Sequence, residues 1–140
     1  MKKLTLVFAV ALVLIGLSVR PATALPPFKK AFEEKYVKSA NDEEFTKAFK
    51  AAGCNVCHVK PKEGEEADRK LRNDYGHILA KLIPGEASDR MKQATKAGTG
   101  KAEMAKLLSE LDAAFAAAEK EKAADGTTYG DLLKQKKLPQ

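Results

Sequence analysis

The segment Cys54-Asn55-Val56-Cys57-His58 constrains this chain more than any other feature of its sequence. Two cysteines three positions apart lie on the same side of one helical turn. Their thiols can add to the two vinyl groups on one edge of a porphyrin, and the next residue, His58, is then placed to bind the iron. The pattern therefore predicts one covalently attached c-type haem, with Cys54 and Cys57 as thioether residues and His58 as the proximal ligand.

Three other interpretations of the segment compete with haem attachment. A redox-active dithiol normally sits at a strand-to-helix turn, and no window of this chain shows the alternation of a strand. A structural zinc site needs four ligands, usually as two separated pairs, and the candidates are Cys54, Cys57, His58 and His77. Chance occurrence explains neither the export signal nor the use of cysteine described next.

The first 24 residues have the three parts of a secretory signal peptide. Lys2 and Lys3 precede an apolar run over residues 4–17, and Ala22-Thr23-Ala24 is a small-x-small cleavage site. We expect cleavage after Ala24 and a single periplasmic domain over residues 25–140. An uncleaved N-terminal anchor is the alternative, although the run is short for a membrane span.

Cysteine usage and charge agree with an exported haem protein. Both cysteines of the chain lie in the one motif, and no other cysteine is available for a structural disulfide. Unpaired thiols oxidise in an oxidising compartment, and two thioether bonds to a haem would account for both cysteines. The formal charge of +6 includes Lys2, Lys3 and Arg20, and removing these three cations leaves +3. We therefore expect no nucleic-acid partner and no membrane span after cleavage.

The spacing of apolar residues predicts an all-α fold. A first helix carries Phe28 and Phe32, and a second begins at Asn41 as N-cap, carries Phe45 and Phe49, and runs into the haem motif. Residues 60–70 form a polar loop. The helices expected after it are one with Leu71, Tyr75, Ile78, Leu79 and Leu82 on one face, one over residues 88–97, a long one over residues 101–124, and one over residues 128–136.

A short internal similarity links two of these helices. Tyr75-Gly76 and Tyr129-Gly130 each precede an apolar pair and, further on, a proline. The second copy contains no cysteine, so it predicts a repeated way of starting a helix and not a second haem.

The chain resembles the small monohaem c-type cytochromes of the class I type. The resemblance consists of the signal peptide, the Phe-bearing helix leading into Cys54–His58, and the long C-terminal helix. It implies a small helical domain around one haem c, in which Phe45 or Phe49 meets the face of the last long helix around Leu111 and Phe115. Lys50 stands where the family commonly has an aromatic residue.

The sixth iron ligand has three candidates. Met91 lies between the middle and the long helix, which is the order in which the family presents its methionine, although no methionine here adjoins a proline. Met104 shares a face with Leu107, Leu111 and Phe115, where core packing is the simpler role. His77 points away from the apolar face of its helix, so we expect it to be a surface residue and the less favoured candidate.

These observations predict a periplasmic one-electron carrier rather than an enzyme. Redox partner proteins would bind weakly and transiently near the haem, with Lys60 and Lys62 as candidate contacts or as ordinary solvated lysines. The alternative is a haem-based ligand sensor or small haem enzyme with an open sixth iron position. The sequence contains no distal acid–base pair that favours it.

Overall fold

The fold over residues 25–139, which a computed structural model describes, is built of helices. These residues contain no strands, only two isolated antiparallel bridges, His58 with Arg72 and Lys122 with Thr128. The prediction of an all-α fold is therefore confirmed for this part of the chain, and the predicted signal peptide lies outside it. The helices are α1 Pro26–Phe32, which continues as a π-helical stretch Glu33–Lys38, then α2 Glu43–Ala52, a 3₁₀ turn Gly53–Val56, α3 Asp74–Leu82, α4 Ala87–Lys96, α5 Gly100–Ala118 and α6 Tyr129–Lys134.

Local chemistry sets where the helices begin. Two prolines, Pro26 and Pro27, occupy the first turn of α1, where their missing N–H groups cost nothing. Helix α2 is capped by Asp42, whose carboxylate accepts a hydrogen bond from the Phe45 N–H at 2.8 Å. The predicted cap, Asn41, is wrong, because its backbone is left-handed, with φ 46°, and cannot adopt the extended conformation of an N-cap.

Helix α5 is the scaffold of the domain, because it packs against α1, α3 and α4. Its buried residues recur every three or four positions along one face: Leu107, Leu111, Ala114, Phe115 and Ala118. Burying a leucine or phenylalanine of this face contributes about 1.5–3 kcal/mol relative to leaving it in water.

An aromatic cluster joins α1 to α5. The ring of Phe115 meets Phe32 and Tyr36 edge-on, with ring centroids 5.9 and 5.5 Å apart. Phe49 of α2 stacks on Phe32 at 5.7 Å. The helix that meets the Phe115 face is thus α1, one helix earlier than predicted, and Phe49 joins the same cluster through Phe32.

The two Tyr-Gly segments lie at equivalent places, at the starts of α3 and α6. Their tyrosine rings, Tyr75 and Tyr129, lie 5.0 Å apart in the core. Each glycine lies against a carbonyl group: a Cβ on Gly76 would lie 1.9 Å from the Cys57 oxygen, and one on Gly130 would lie 2.9 Å from the Glu119 oxygen. At the start of both helices, the glycine therefore lies closer to a backbone carbonyl of the preceding segment than a residue with a Cβ atom could.

The long helix α5 ends six residues before the predicted end at residue 124. The N–H of Gly130 donates to the Glu119 oxygen at 2.9 Å, and the N–H of Tyr129 donates to the Glu121 oxygen at 3.0 Å. The start of α6 thereby takes the carbonyl groups that a longer helix would use. Helix propensity is a weak preference that such tertiary contacts override.

Helix α3 is shorter than its apolar pattern predicted. Leu71 lies before the helix and is 54% exposed, so it does not belong to the apolar face of α3. Tyr75 and Leu79 form the buried part of that face. None of the helices described between residues 25 and 139 is long and apolar enough to cross a membrane.

We predict that Gly76→Ala destabilises the domain by about 1–3 kcal/mol, because the added methyl group overlaps the Cys57 carbonyl. Gly130→Ala should cost less, since its contact is longer, at 2.9 Å. Gly100→Ala is the matched control in a helical first turn, where the methyl group meets only the Thr95 hydroxyl at 3.2 Å. Urea unfolding measures all three, and equal stability of the Gly76 and Gly100 variants would contradict the close contact.

Candidate haem attachment site

The Cys54–His58 segment forms a tight turn directly after α2. Gly53 ends the helix with a φ of 57°, which favours glycine. The Cys54 carbonyl then accepts hydrogen bonds from the N–H groups of Cys57 at 3.2 Å and His58 at 3.1 Å. Both cysteines are partly exposed free thiols within this one turn. Both thiols therefore lie within one turn of the chain, directly before the His58 imidazole.

The turn is bound to the start of α3 by a single residue, Asn73. Its side-chain amide donates to the carbonyls of Asn55 at 3.1 Å and Val56 at 3.0 Å. Its backbone N–H donates to the Cys57 carbonyl at 3.2 Å. Its side-chain oxygen accepts a hydrogen bond from the Gly76 N–H at 2.9 Å, which caps α3.

His58 has the hydrogen bond that fixes which ring nitrogen is available to a metal. Its Nδ1 lies 3.1 Å from the Leu71 carbonyl oxygen, and because that oxygen can only accept, Nδ1 is the donor. In the neutral ring Nε2 then carries the free lone pair. Metal-binding histidines commonly have such a partner, because it fixes the ring orientation and increases the basicity of the ligand nitrogen.

The protonation state of His58 also suits a ligand. Burial lowers the pKa of its imidazole below the usual value of 6.5; the Leu71 hydrogen bond opposes this shift, and the charges of Arg69 and Arg72 add to it. The ring is therefore neutral at pH 7, which is the form that binds a metal.

Cys57 has the opposite character to a redox-active thiol. Burial raises the pKa of the Cys57 thiol to about 12, and the neighbouring Cys54 adds to the shift. Catalytic dithiols work through a thiolate with a lowered pKa. Cys57 is thus not the nucleophilic thiolate of such a pair, and its environment suits a neutral sulfur.

Large apolar side chains remain exposed beside the turn. Among residues 25–139 these are Val59, Leu71 and Leu82, at 44%, 54% and 41% exposure. Val59 and Leu71 adjoin each other, since the Val59 N–H donates to the Leu71 carbonyl at 3.1 Å. All three lie between the motif and the end of α3 in the sequence, and Val59 and Leu71 lie directly beside the turn.

Cations surround the turn on its polar side. The Arg69 guanidinium lies 3.4 Å from the Asn55 side-chain oxygen, and Arg72 pairs with Glu86 at 2.8 Å. Lys60 and Lys62 are exposed in the loop after the motif. That loop also carries acidic residues, so its lysines form no continuous basic surface.

The three candidates for the distal ligand lie in different environments. His77 is exposed, as its position opposite the apolar face predicted. Met91 is half-buried and packs against the hydrophobic core, as Cys57 does. Met104 is half-buried one helical turn before Leu108 on α5.

Arg90 fixes helix α4, which carries Met91, against α5. Its guanidinium pairs with Glu103 at 2.6 Å and Glu110 at 2.5 Å, and also donates to the Pro84 carbonyl at 2.7 Å. With α4 held in this way, Ala87, Met91 and Ala94 form its core-facing stripe.

The zinc alternative finds no matching ligand cluster. Over residues 25–139, no three His, Cys, Asp or Glu side chains come together in a group that could hold a metal ion. Two surface concavities of about 560 and 280 Å³ lie beside α2 and α6, and neither is lined by Cys54, Cys57 or His58.

Sequence reasoning missed two residues of this site. Leu71 acts through its backbone carbonyl, for which a sequence carries no signal. Asn73 could have been recognised, because Asn-Asp before an apolar periodic run is a typical helix start.

Comparison with protein-family models, curated proteins and solved structures found no match to this chain.

We predict that Cys57 reacts slowly with iodoacetamide when the chain carries free thiols. At pH 7 its thiolate population is small because the pKa lies near 12, so alkylation should be at least about tenfold slower than that of an unhindered cysteine. Peptide mass spectrometry over a time course measures the rate. Fast alkylation at pH 7 would mean a lowered pKa and would favour the redox-dithiol interpretation.

Proposed function

We propose that this protein is a periplasmic one-electron carrier of the c-type cytochrome kind, with one haem attached through Cys54 and Cys57. The observation that carries the proposal is the combination found in one turn. Two free thiols lie beside a neutral imidazole whose Nδ1 is bonded to the Leu71 carbonyl, leaving Nε2 as the ligand atom. These residues fit the attachment edge and the proximal side of a haem.

In this proposal the haem iron supplies the one-electron chemistry, and the chain tunes and shields it. Cys54 and Cys57 hold the porphyrin edge, and His58 holds the iron on the proximal side. The Leu71 carbonyl orients the imidazole. Val59 and Leu71, exposed beside the turn, would offer apolar surface to a flat, largely apolar ring and reduce its exposure to water, which helps to set a redox potential.

Met91 is our proposed sixth ligand. It borders the same hydrophobic core as Cys57, and the ion pairs of Arg90 fix its helix on α5. A thioether ligand stabilises ferrous iron and raises the potential, which suits a carrier. Met104 remains the second candidate, and His77, which is exposed, the third.

The proposed partners are redox proteins that bind weakly and transiently at the edge of the haem. Exposed Lys60 and Lys62, two and four residues after His58, are the candidate contacts, and each would pair with a single carboxylate of the partner. The proposed location is the periplasm. The predicted signal peptide, residues 1–24, would export the chain to that compartment, and the haem would be attached there.

Expression with its own signal peptide in cells that mature c-type haem tests the function. We predict a protein with reversible oxidised and reduced spectra of a low-spin c-type haem and little carbon monoxide binding. The Cys54→Ser/Cys57→Ser double variant is the matched control and should carry no covalent haem. A high-spin spectrum with rapid carbon monoxide binding would contradict the carrier and support the sensor or small enzyme.

We predict that Met91→Ala removes the near-infrared band of methionine ligation and lowers the midpoint potential, since the iron loses its thioether ligand. Met104→Ala is the matched control, with the same side-chain truncation in the neighbouring helix, and should keep the band. The reverse pattern would assign Met104 as the ligand, and absence of the band from the wild-type protein would exclude methionine ligation.

A further inference from the structure

Three consecutive carbonyl groups of the motif turn accept hydrogen bonds from one residue. The carbonyls of Asn55 and Val56 are bound by the side-chain amide of Asn73, at 3.1 and 3.0 Å. The carbonyl of Cys57 is bound by the backbone N–H of Asn73, at 3.2 Å. The turn therefore directs this whole row of carbonyls toward the start of α3.

The side-chain chemistry of asparagine is needed for this arrangement. The amide oxygen of Asn73 caps α3 by accepting from the Gly76 N–H at 2.9 Å, while the amide nitrogen donates to the turn. Aspartate and serine are equally good caps, but neither can offer an NH₂ group with two donors. Asn73 thus does two separable things, and only one of them concerns α3.

The start of α6 shows what capping alone looks like in this fold. Thr128 caps α6 by accepting from the Asp131 N–H at 3.1 Å, and Gly130 lies against the end of α5 as Gly76 lies against the turn. There the contact to the preceding segment is made by the backbone N–H groups of Tyr129 and Gly130. The side-chain donors of Asn73 are the addition that distinguishes the α3 start.

We infer that Asn73 is a positioning residue for haem attachment, which holds the turn so that both thiols and the His58 imidazole can serve one haem. Asn73 binds the carbonyls of residues 55–57 and so orients three of the four peptide planes between Cys54 and His58, while the Cys54 carbonyl accepts from the N–H groups of Cys57 and His58. The two residues before Asn73 hold His58. The Leu71 carbonyl binds its Nδ1, and Arg72 pairs with it in the isolated antiparallel bridge. This inference rests on the proposed haem function.

Asn73→Ser tests the inference, because serine retains a cap acceptor and removes the amide donors. Each variant is expressed as the full chain in cells that mature c-type haem, and the number of thioether bonds per chain and the midpoint potential are measured. We expect the haem-loaded fraction with two thioether bonds to fall about tenfold, as for other losses of a partner that orients a ligand, and the potential of the remainder to shift.

Thr128→Ala is the matched control, because it removes a helix cap of the same kind without touching the turn. It should keep two thioether bonds and the wild-type potential. Asn73→Asp is the second variant, which also keeps a cap acceptor and should resemble Asn73→Ser if the amide donors matter.

The outcomes separate the two proposals. Wild-type chain without covalent haem overturns the proposed function and this inference together. If the wild type carries haem, and Asn73→Ser and Asn73→Asp have the same number of thioether bonds and the same midpoint potential as the wild type, the inference alone is overturned. An equal loss in Thr128→Ala, or failure of both Asn73 variants to fold while Thr128→Ala folds, assigns Asn73 a general structural role and also overturns it.

Discussion

The contact between the Cys54–His58 turn and the start of α3 is the interaction on which the rest of the site depends. One side chain, Asn73, binds two carbonyls of the turn and caps the helix. One missing side chain, at Gly76, lets the helix approach the Cys57 carbonyl. From this contact the chain turns back so that the Leu71 carbonyl reaches the His58 imidazole. The orientation of the His58 imidazole is thus a consequence of how the chain enters α3.

The rest of the domain keeps that contact in place. Tyr75, the neighbour of Gly76, is buried in the aromatic cluster with Phe32 and Tyr129. Phe115 links the cluster to α5, and Arg90 ties α4 to the same helix. The Cys54–His58 turn is therefore backed by a core that reaches α5, so its geometry does not depend on an isolated loop.

Features of the fold and of the site that depend on residues close in sequence could be predicted, and those that depend on contacts between distant residues could not. The motif, the helical class and the region of most helices come from local spacing, which a sequence displays directly. The early end of α5 could not be predicted, because it depends on N–H groups of Tyr129 and Gly130 that take its carbonyls. The exposure of Leu71 and the role of its carbonyl depend on a backbone contact with His58 that no side-chain pattern records. Which side chain could face the iron of the proposed haem opposite His58 also depends on long-range packing, and for this reason the sequence leaves Met91, Met104 and His77 together as candidates.

Peptide mass spectrometry of the purified protein tests the central claim most directly. Trypsin cuts after Lys50 and after Lys62 but not between Lys60 and Pro61, so Cys54, Cys57 and His58 fall in the single peptide 51–62. The proposed function predicts this peptide at its own mass plus one haem, with no alkylation of either cysteine after denaturation. The bare peptide with two alkylated cysteines, from cells that mature other c-type haem proteins, would contradict it.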